Sequence, residues 1–164
     1  MNRKINIAIF GAGVGGLTTA IALRRKGFEN IIIYEQRTTA TTIGAGIVLW
    51  ANASQILNKL NVLTEVQKVG GPIKKMERWT CKEEFLGSID VDTIDTIIGS
   101  NSYAISRKEL QEILLKETEH LKIPILYNHK ALQLTHKNNK TTILFENNIA
   151  VYADIVIGGD GRMN

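Results

Sequence analysis

Residues 4–35 read KINIAIFGAGVGGLTTAIALRRKGFENIIIYE. Ile5–Phe10 is a short apolar run ending in glycine, the pattern of a strand buried on both faces. Leu17–Lys26 then places Leu17, Ala20, Ile21 and Leu23 on one side of a helix, and Gly27 sits at its natural stop. Ile31–Glu35 is β-branched and short, a second buried strand. Strand, helix and strand in so short a stretch predict a βαβ unit with a right-handed crossover. Between the first strand and the helix, Gly11, Gly13 and Gly16 have the G-x-G-x-x-G spacing. Gly11 makes the turn out of the strand, Gly13 lets a pyrophosphate approach the backbone, and Gly16 lets the helix lie close to the sheet. The helix start then offers free N–H groups and its positive dipole end to phosphates. The three glycines alone are a weak signal, but Glu35 at the end of the second strand strengthens it. A carboxylate there accepts both hydroxyls of an adenosine ribose and repels a 2′-phosphate. The competing explanation is that the glycines serve only tight packing and Glu35 is a solvated strand end. The context favours a dinucleotide site, and the loop by itself does not choose between NAD and FAD.

Length and composition agree with a soluble α/β domain. At 164 residues, with 44% hydrophobic and 22% charged residues, the chain can bury a core of ordinary size. Its net charge of +4 is scattered, with only Arg24–Lys26 and Lys74–Lys75 as short basic clusters. That distribution argues against a nucleic-acid partner. No apolar run approaches the roughly eighteen residues of an integral membrane segment, and the apolar part of the N-terminus is too short for a signal peptide. The single cysteine, Cys81, excludes an internal disulfide, fits a reducing cytoplasmic location, and reads as packing rather than as a nucleophile. His120, His129 and His136 share no ligand spacing, so no metal is expected.

Beyond the βαβ unit comes a Thr-rich loop, QRTTATTIGAG. Asn52 with Gln55 resembles a capping box opening a helix through Leu60, and a second short helix covers Leu63–Val69. Met76–Thr80 and Phe85–Val91 predict strands of a different layer, joined by a charged turn. Ser106 and Glu109 form a capping box for a helix reaching about His120. Ile125–Tyr127, Ala131–His136, Thr141–Phe145 and Ile149–Tyr152 are short strands with Asn-rich joints, hence an antiparallel meander. Asp154–Ile157 returns as a third buried parallel strand, followed by the turn GGDG.

Three further stretches occur in a fixed order: GAGIVLWANASQILNKLNV (44–62), SRKELQEIL (106–114) and ADIVIGGDG (153–161). With the glycine loop they make the whole chain resemble the aromatic-ring hydroxylases, single-component FAD-dependent monooxygenases, most closely the salicylate and urate hydroxylase branch. The resemblance implies an α/β, Rossmann-like FAD-binding fold of the glutathione-reductase type, with an antiparallel β-meander and an incomplete substrate-domain layer. It implies that residues 1–164 are an FAD-binding domain, the N-terminal portion of a longer architecture, with 72–104 a fragment of the substrate-binding layer. Gly11, Gly13, Val14, Gly15 and Gly16 would lie at the FAD pyrophosphate and Glu35 on the adenosine ribose, with Gln36 and Arg37 beside it. Gly44–Ile47, including Gly46 and Ile47, would pass the flavin, and Arg107 would reach the ribityl–phosphate region. Ala131 would lie near adenine, and Asp160 would support FAD and a transient pyridine-nucleotide site.

Elementary chemistry bears on two of these. A cation at a helix N-terminus opposes the helix dipole, so Arg107 is either phosphate-seeking or a surface arginine beside a cap. Asp160 between two glycines is either a ligand or turn chemistry. Trp50 and Trp79 fit packing better than ring stacking. Two positions depart from the family pattern: Ala51 stands where a proline is common, and Asn164 where a serine follows the D-G motif. The resemblance implies NAD(P)H as co-substrate and transfer of oxygen from O₂ to a small aromatic or heteroaromatic substrate. It names no catalytic residue. Family members are more than twice this length, so most of the substrate sheet, a second G-D motif and the active-site cover are expected to be missing. Apolar faces left without partners then predict an exposed patch or a homodimer. Two alternatives stay open: an NAD-dependent dehydrogenase, and a cofactor-binding remnant without catalysis.

Overall fold

The computed structural model describes residues 3–39, 45–138, 140–159 and 161. In chain order the elements are β1 (Asn6–Phe10), α1 (Val14–Arg25), β2 (Asn30–Tyr34), β3 (Gly46–Leu49), α2 (Ala51–Lys59) and α3 (Leu63–Val69). There follow β4 (Gly71–Pro72), β5 (Lys75–Trp79), β6 (Phe85–Asp90), α4 (Val91–Ile98), β7 (Tyr103–Ser106) and α5 (Arg107–His120). The last are β8 (Ile125–Leu126), β9 (Ala131–Lys137), β10 (Lys140–Phe145), β11 (Ala150–Ala153) and β12 (Ile155–Gly158). The mixed α/β chain divides into two compact units, residues 1–42 with 114–164, and residues 43–113.

The first unit is built on a parallel sheet of order β12-β1-β2-β8. Strand alternation sorts its side chains into two layers. Ile7, Ile9, Ile31 and Ile33 are buried on one face, where Ile9 lies beneath Gly16 at the start of α1. Ala8 and Tyr34 point the other way and join Ile143, Phe145 and Ala153 of the antiparallel meander β9-β10-β11, with Phe10, Ile32, Ala131, Val151 and Val156 packed around them. Tyr34 stacks on Phe145 at 4.8 Å between ring centroids, and Phe10 meets Phe145 edge-on at 6.3 Å. Burial raises the Tyr34 phenol above its ordinary pKa.

Two sequence expectations change here. The run at 125 does not belong to the meander: β8 pairs in parallel with β2, aligning Ile33 with Ile125. Only two residues long, it carries no periodicity that distinguishes a parallel edge strand from a meander strand. The returning strand β12 does pair in parallel with β1, but it is half-buried rather than buried, because it forms an edge of the described sheet.

The second unit contains the antiparallel sheet β3-β7-β4 with α2 and α3 packed on it, and the hairpin β5–β6 leading into α4. Its core includes Leu49, Ala51, Leu57, Val66, Val91, Tyr103 and Ile105. The expected Asn52–Gln55 capping box is absent: Trp50 is the N-cap of α2 without a side-chain bond, and the Gln55 amide instead donates to the Ile98 carbonyl at 2.7 Å. Helix α4 and strands β3, β4 and β7 are additional to the elements that the sequence predicts. Among the described residues no helix is long and apolar enough to cross a membrane.

Candidate cofactor-binding site

The glycine loop between β1 and α1 separates its glycines by function. Gly11 has φ +93°, a left-handed conformation that glycine adopts without penalty, and its N–H donates to the Tyr34 carbonyl at 2.8 Å. A Cβ on Gly16 would lie 1.9 Å from the Gly11 carbonyl oxygen, so backbone packing alone requires glycine there. A Cβ on Gly13 or Gly15 would meet nothing within 4 Å, and neither residue has a positive φ. Among the described residues nothing therefore demands glycine at these two positions. They form an open cradle over the start of α1, which has Gly13 as N-cap, no side-chain cap and no acidic residue in its first turn. With Val14 the first residue of the helix, the N–H groups of its opening turn lack intrahelical acceptors and can hold an anion such as a pyrophosphate. Gly159 extends the packing set: a Cβ there would lie 3.1 Å from the Gly16 Cα and N and 3.0 Å from the Phe10 carbonyl. The GGDG turn is the only sequence signal of this contact between the turn after β12 and the first loop.

Glu35 lies directly beside the loop. One carboxylate oxygen accepts the Ala12 N–H at 2.7 Å and the other accepts the Arg37 N–H at 3.0 Å. Gln36 and Arg37 are exposed on the same segment. This segment is joined to the end of β8, where the Glu35 N–H donates to the Leu126 carbonyl at 2.8 Å, and to the loop that follows, where the His129 N–H donates to the Glu35 carbonyl at 2.9 Å. Burial, and secondly the charge of Glu35, raise the Tyr127 phenol above its ordinary pKa. Two residues past His129, Ala131 opens β9 opposite Phe145 and packs half-buried on the core cluster. The first unit thus gathers the glycine loop, Glu35–Arg37 and the start of the meander.

The second unit gathers the other expected residues. Gly46 and Ile47 in β3 lie opposite Ser106 and Ile105 of β7, and the Arg107 N–H donates to the Ala45 carbonyl at 3.3 Å. The Ser106 hydroxyl accepts the Glu109 N–H at 3.1 Å and donates to its carboxylate at 2.7 Å, the expected cap. Arg107 is exposed in the first turn of α5. Asp160 and Gly44 lie outside the described residues. Trp79 is exposed, donates to Glu77 and meets Phe85 edge-on, so it is a surface group of the hairpin.

The donor set suits an adenine dinucleotide: unblocked helix N–H groups, two glycines with free space above them and an acidic residue fixed alongside. Comparison with known proteins agrees. A family model described as FAD binding domain matches residues 4–163. An FAD-dependent urate hydroxylase of Mycolicibacterium vanbaalenii is 30% identical over 96% of this chain and 40% of its own length. A 3-amino-4-hydroxybenzoate 2-monooxygenase of Streptomyces platensis is 28% identical over 98% of this chain and 40% of its own. Klebsiella pneumoniae HpxO, in a crystal structure with FAD and uric acid, superposes with a TM-score of 0.79 at 25% identity, covering 95% of this chain and 39% of that one. The chain therefore spans about 40% of the length of these relatives. With the match running almost from end to end and the glycine cradle in place, the chain belongs to the FAD binding domain family, whose cofactor is FAD.

Proposed function

We propose that this chain is the cofactor-binding part of a flavin-dependent monooxygenase, of the glutathione-reductase type of fold, which hydroxylates an aromatic or heteroaromatic ring at the expense of NAD(P)H and O₂. The observation that carries this is the open cradle at Gly13 and Gly15 above the uncapped α1, with Glu35 held beside it. In this reading the N–H groups around Gly13, Val14 and Gly15 bind the pyrophosphate, and Glu35 takes the adenosine ribose on the carboxylate lone pairs that Ala12 and Arg37 leave free. Gln36 and Arg37 flank that ribose, and Ala131 gives adenine a small apolar wall. Gly46 and Ile47 pass the flavin, and the exposed Arg107 supplies positive charge toward the ribityl–phosphate chain. Asp160 supports the cofactor, and residues 72–104 belong to the substrate-binding layer. FAD, when bound, supplies the redox and oxygen-activating chemistry. The aromatic substrate class rests on the names of the relatives, which include a urate hydroxylase and a hydroxybenzoate monooxygenase.

Because the chain spans about 40% of those relatives, binding is expected without turnover. Titration with FAD and with NAD, followed by flavin and protein fluorescence, tests the proposal. FAD is expected to bind more tightly; tighter NAD binding would sink the flavin assignment in favour of a dehydrogenase. NADPH consumption in air, with bound FAD, is expected to stay at the level of free flavin.

A further inference from the structure

The segment that carries Glu35 and Arg37 leaves β2 as an exposed loop, and an unbroken run of hydrogen bonds ties it to the meander. The Asn128 N–H donates to the Arg37 carbonyl at 3.0 Å, beside the His129 N–H bond to the Glu35 carbonyl. Asn128 achieves this with φ +58°, a left-handed conformation that asparagine tolerates and β-branched residues resist. That turn sends its own carbonyl the opposite way, to the Asn147 side-chain amide at 3.1 Å. The Asn147 side-chain oxygen in turn accepts the Ile149 N–H at 3.1 Å, which fixes the amide in the tight β10–β11 turn. Next to it the Glu146 N–H donates to the Lys130 carbonyl at 2.9 Å, and Lys130 pairs with Glu146. At the other end of the run, Glu35 receives the Ala12 N–H of the glycine loop. One path thus leads from the meander turn, through Asn147 and Asn128, to the carboxylate beside the cradle.

From this we propose that Asn128 and Asn147 are positioning residues for the dinucleotide: without touching it, they set where Glu35 and Arg37 stand relative to the glycine loop. The inference rests on the FAD reading above and adds two residues that neither the motifs nor the sequence patterns point to. Asn128 contributes through its backbone conformation, so its side chain is replaceable by none at all; Asn147 contributes through its amide donor.

The test uses the whole chain, with FAD and ADP as separate probes, because ADP carries the adenosine ribose and pyrophosphate but no flavin. Asn147→Asp keeps the acceptor for Ile149 and removes the donor to Asn128. Asn128→Val disfavours the left-handed turn, whereas Asn128→Gly permits it. Asn147→Asp and Asn128→Val are expected to raise the Kd for FAD and for ADP in parallel, by about three- to tenfold, the worth of one hydrogen bond. Asn128→Gly is expected to stay near the parent. Lowered Tm with unchanged Kd in both weakened variants means that the two residues only stabilise the fold, and overturns the inference. Equal losses in Asn128→Gly and Asn128→Val overturn it as well, since the backbone conformation would then not be what matters. The two residues are altered in separate variants, so failure of one variant to fold leaves the other to decide. A parent chain that binds neither probe removes the FAD reading itself, an outcome distinct from a parent that binds and variants that match it.

Discussion

Gly13 and Gly16 look alike in the motif and differ in what they answer to. Gly16→Ala would force a Cβ to within 1.9 Å of the Gly11 carbonyl, so the helix start or the loop must shift. The expected cost is at least about 1–3 kcal/mol of stability, as for overpacking elsewhere, read in a denaturant melt. Gly13→Ala meets open space at φ −81° and should leave the melt unchanged. Its FAD affinity should nevertheless fall by an order of magnitude, about 1.4 kcal/mol, because the methyl group occupies the approach of the pyrophosphate. Equal loss of stability in both variants would show that the cradle serves packing alone. Glu35 combines the two roles: Glu35→Ala removes acceptors from Ala12 and Arg37 and should cost about 1–3 kcal/mol in addition to weakening FAD. The sequence disclosed Glu35 through its place at the end of an apolar strand. It could not disclose the Ala12 bond, which depends on how the loop folds back on the strand end.

At the scale of elements, what could be read ahead was what has a period or a cap. The βαβ unit, the helix after Ser106 and the hairpin at 75–90 each announce themselves by apolar spacing or by a side chain that bonds its own backbone. Asn52–Gln55 misled because the Trp50 position, with its extended backbone, opens the helix two residues earlier. Strands β3 and β7 are four residues each and are defined by pairing, β3 with β7 and β7 also with β4, a non-local fact. Helix α4 has the clearest physical signature of those missed. Asp90 caps it, accepting the Thr93 N–H at 3.3 Å and the Thr93 hydroxyl at 2.7 Å, and Gly99 closes it at φ +75°. These Thr93 bonds hold the Asp90 carboxyl below the usual carboxylate range. A group with a lowered pKa in the folded state contributes stability above its unfolded pKa and loses it as the pH falls through the folded value. Acidification below about pH 4 should therefore weaken α4. Asp90→Asn, which keeps an acceptor and cannot titrate, should flatten that part of the stability–pH curve while remaining folded at neutral pH. An unaltered acid limb in this variant would assign the effect to other carboxylates.

For the whole molecule the decisive feature is apolar surface. On the hairpin, Trp79 is 55% exposed, Phe85 53%, Leu86 65% and Ile89 45%; on the meander, Leu132, Leu134 and Tyr152 are more than half exposed. Scattered exposed apolar residues are ordinary, but four fall on one two-stranded hairpin, where Trp79 and Phe85 touch, and an isolated hairpin has little stability of its own. The composition gave no warning of this, since 44% hydrophobic residues suit a fully covered core equally well. Hydrophobic count cannot reveal which apolar residues lack a covering layer. The chain is expected to self-associate through this hairpin, with no change in its affinity for FAD. Leu86→Lys combined with Ile89→Lys should shift the protein toward monomer in sedimentation at micromolar concentration and reduce binding of a hydrophobic dye. Its Kd for FAD should match that of the parent. Monomeric parent protein, or association that survives both lysines, would remove the hairpin from consideration as a contact surface, and a parallel loss of FAD affinity would show that the hairpin and the cofactor site are coupled.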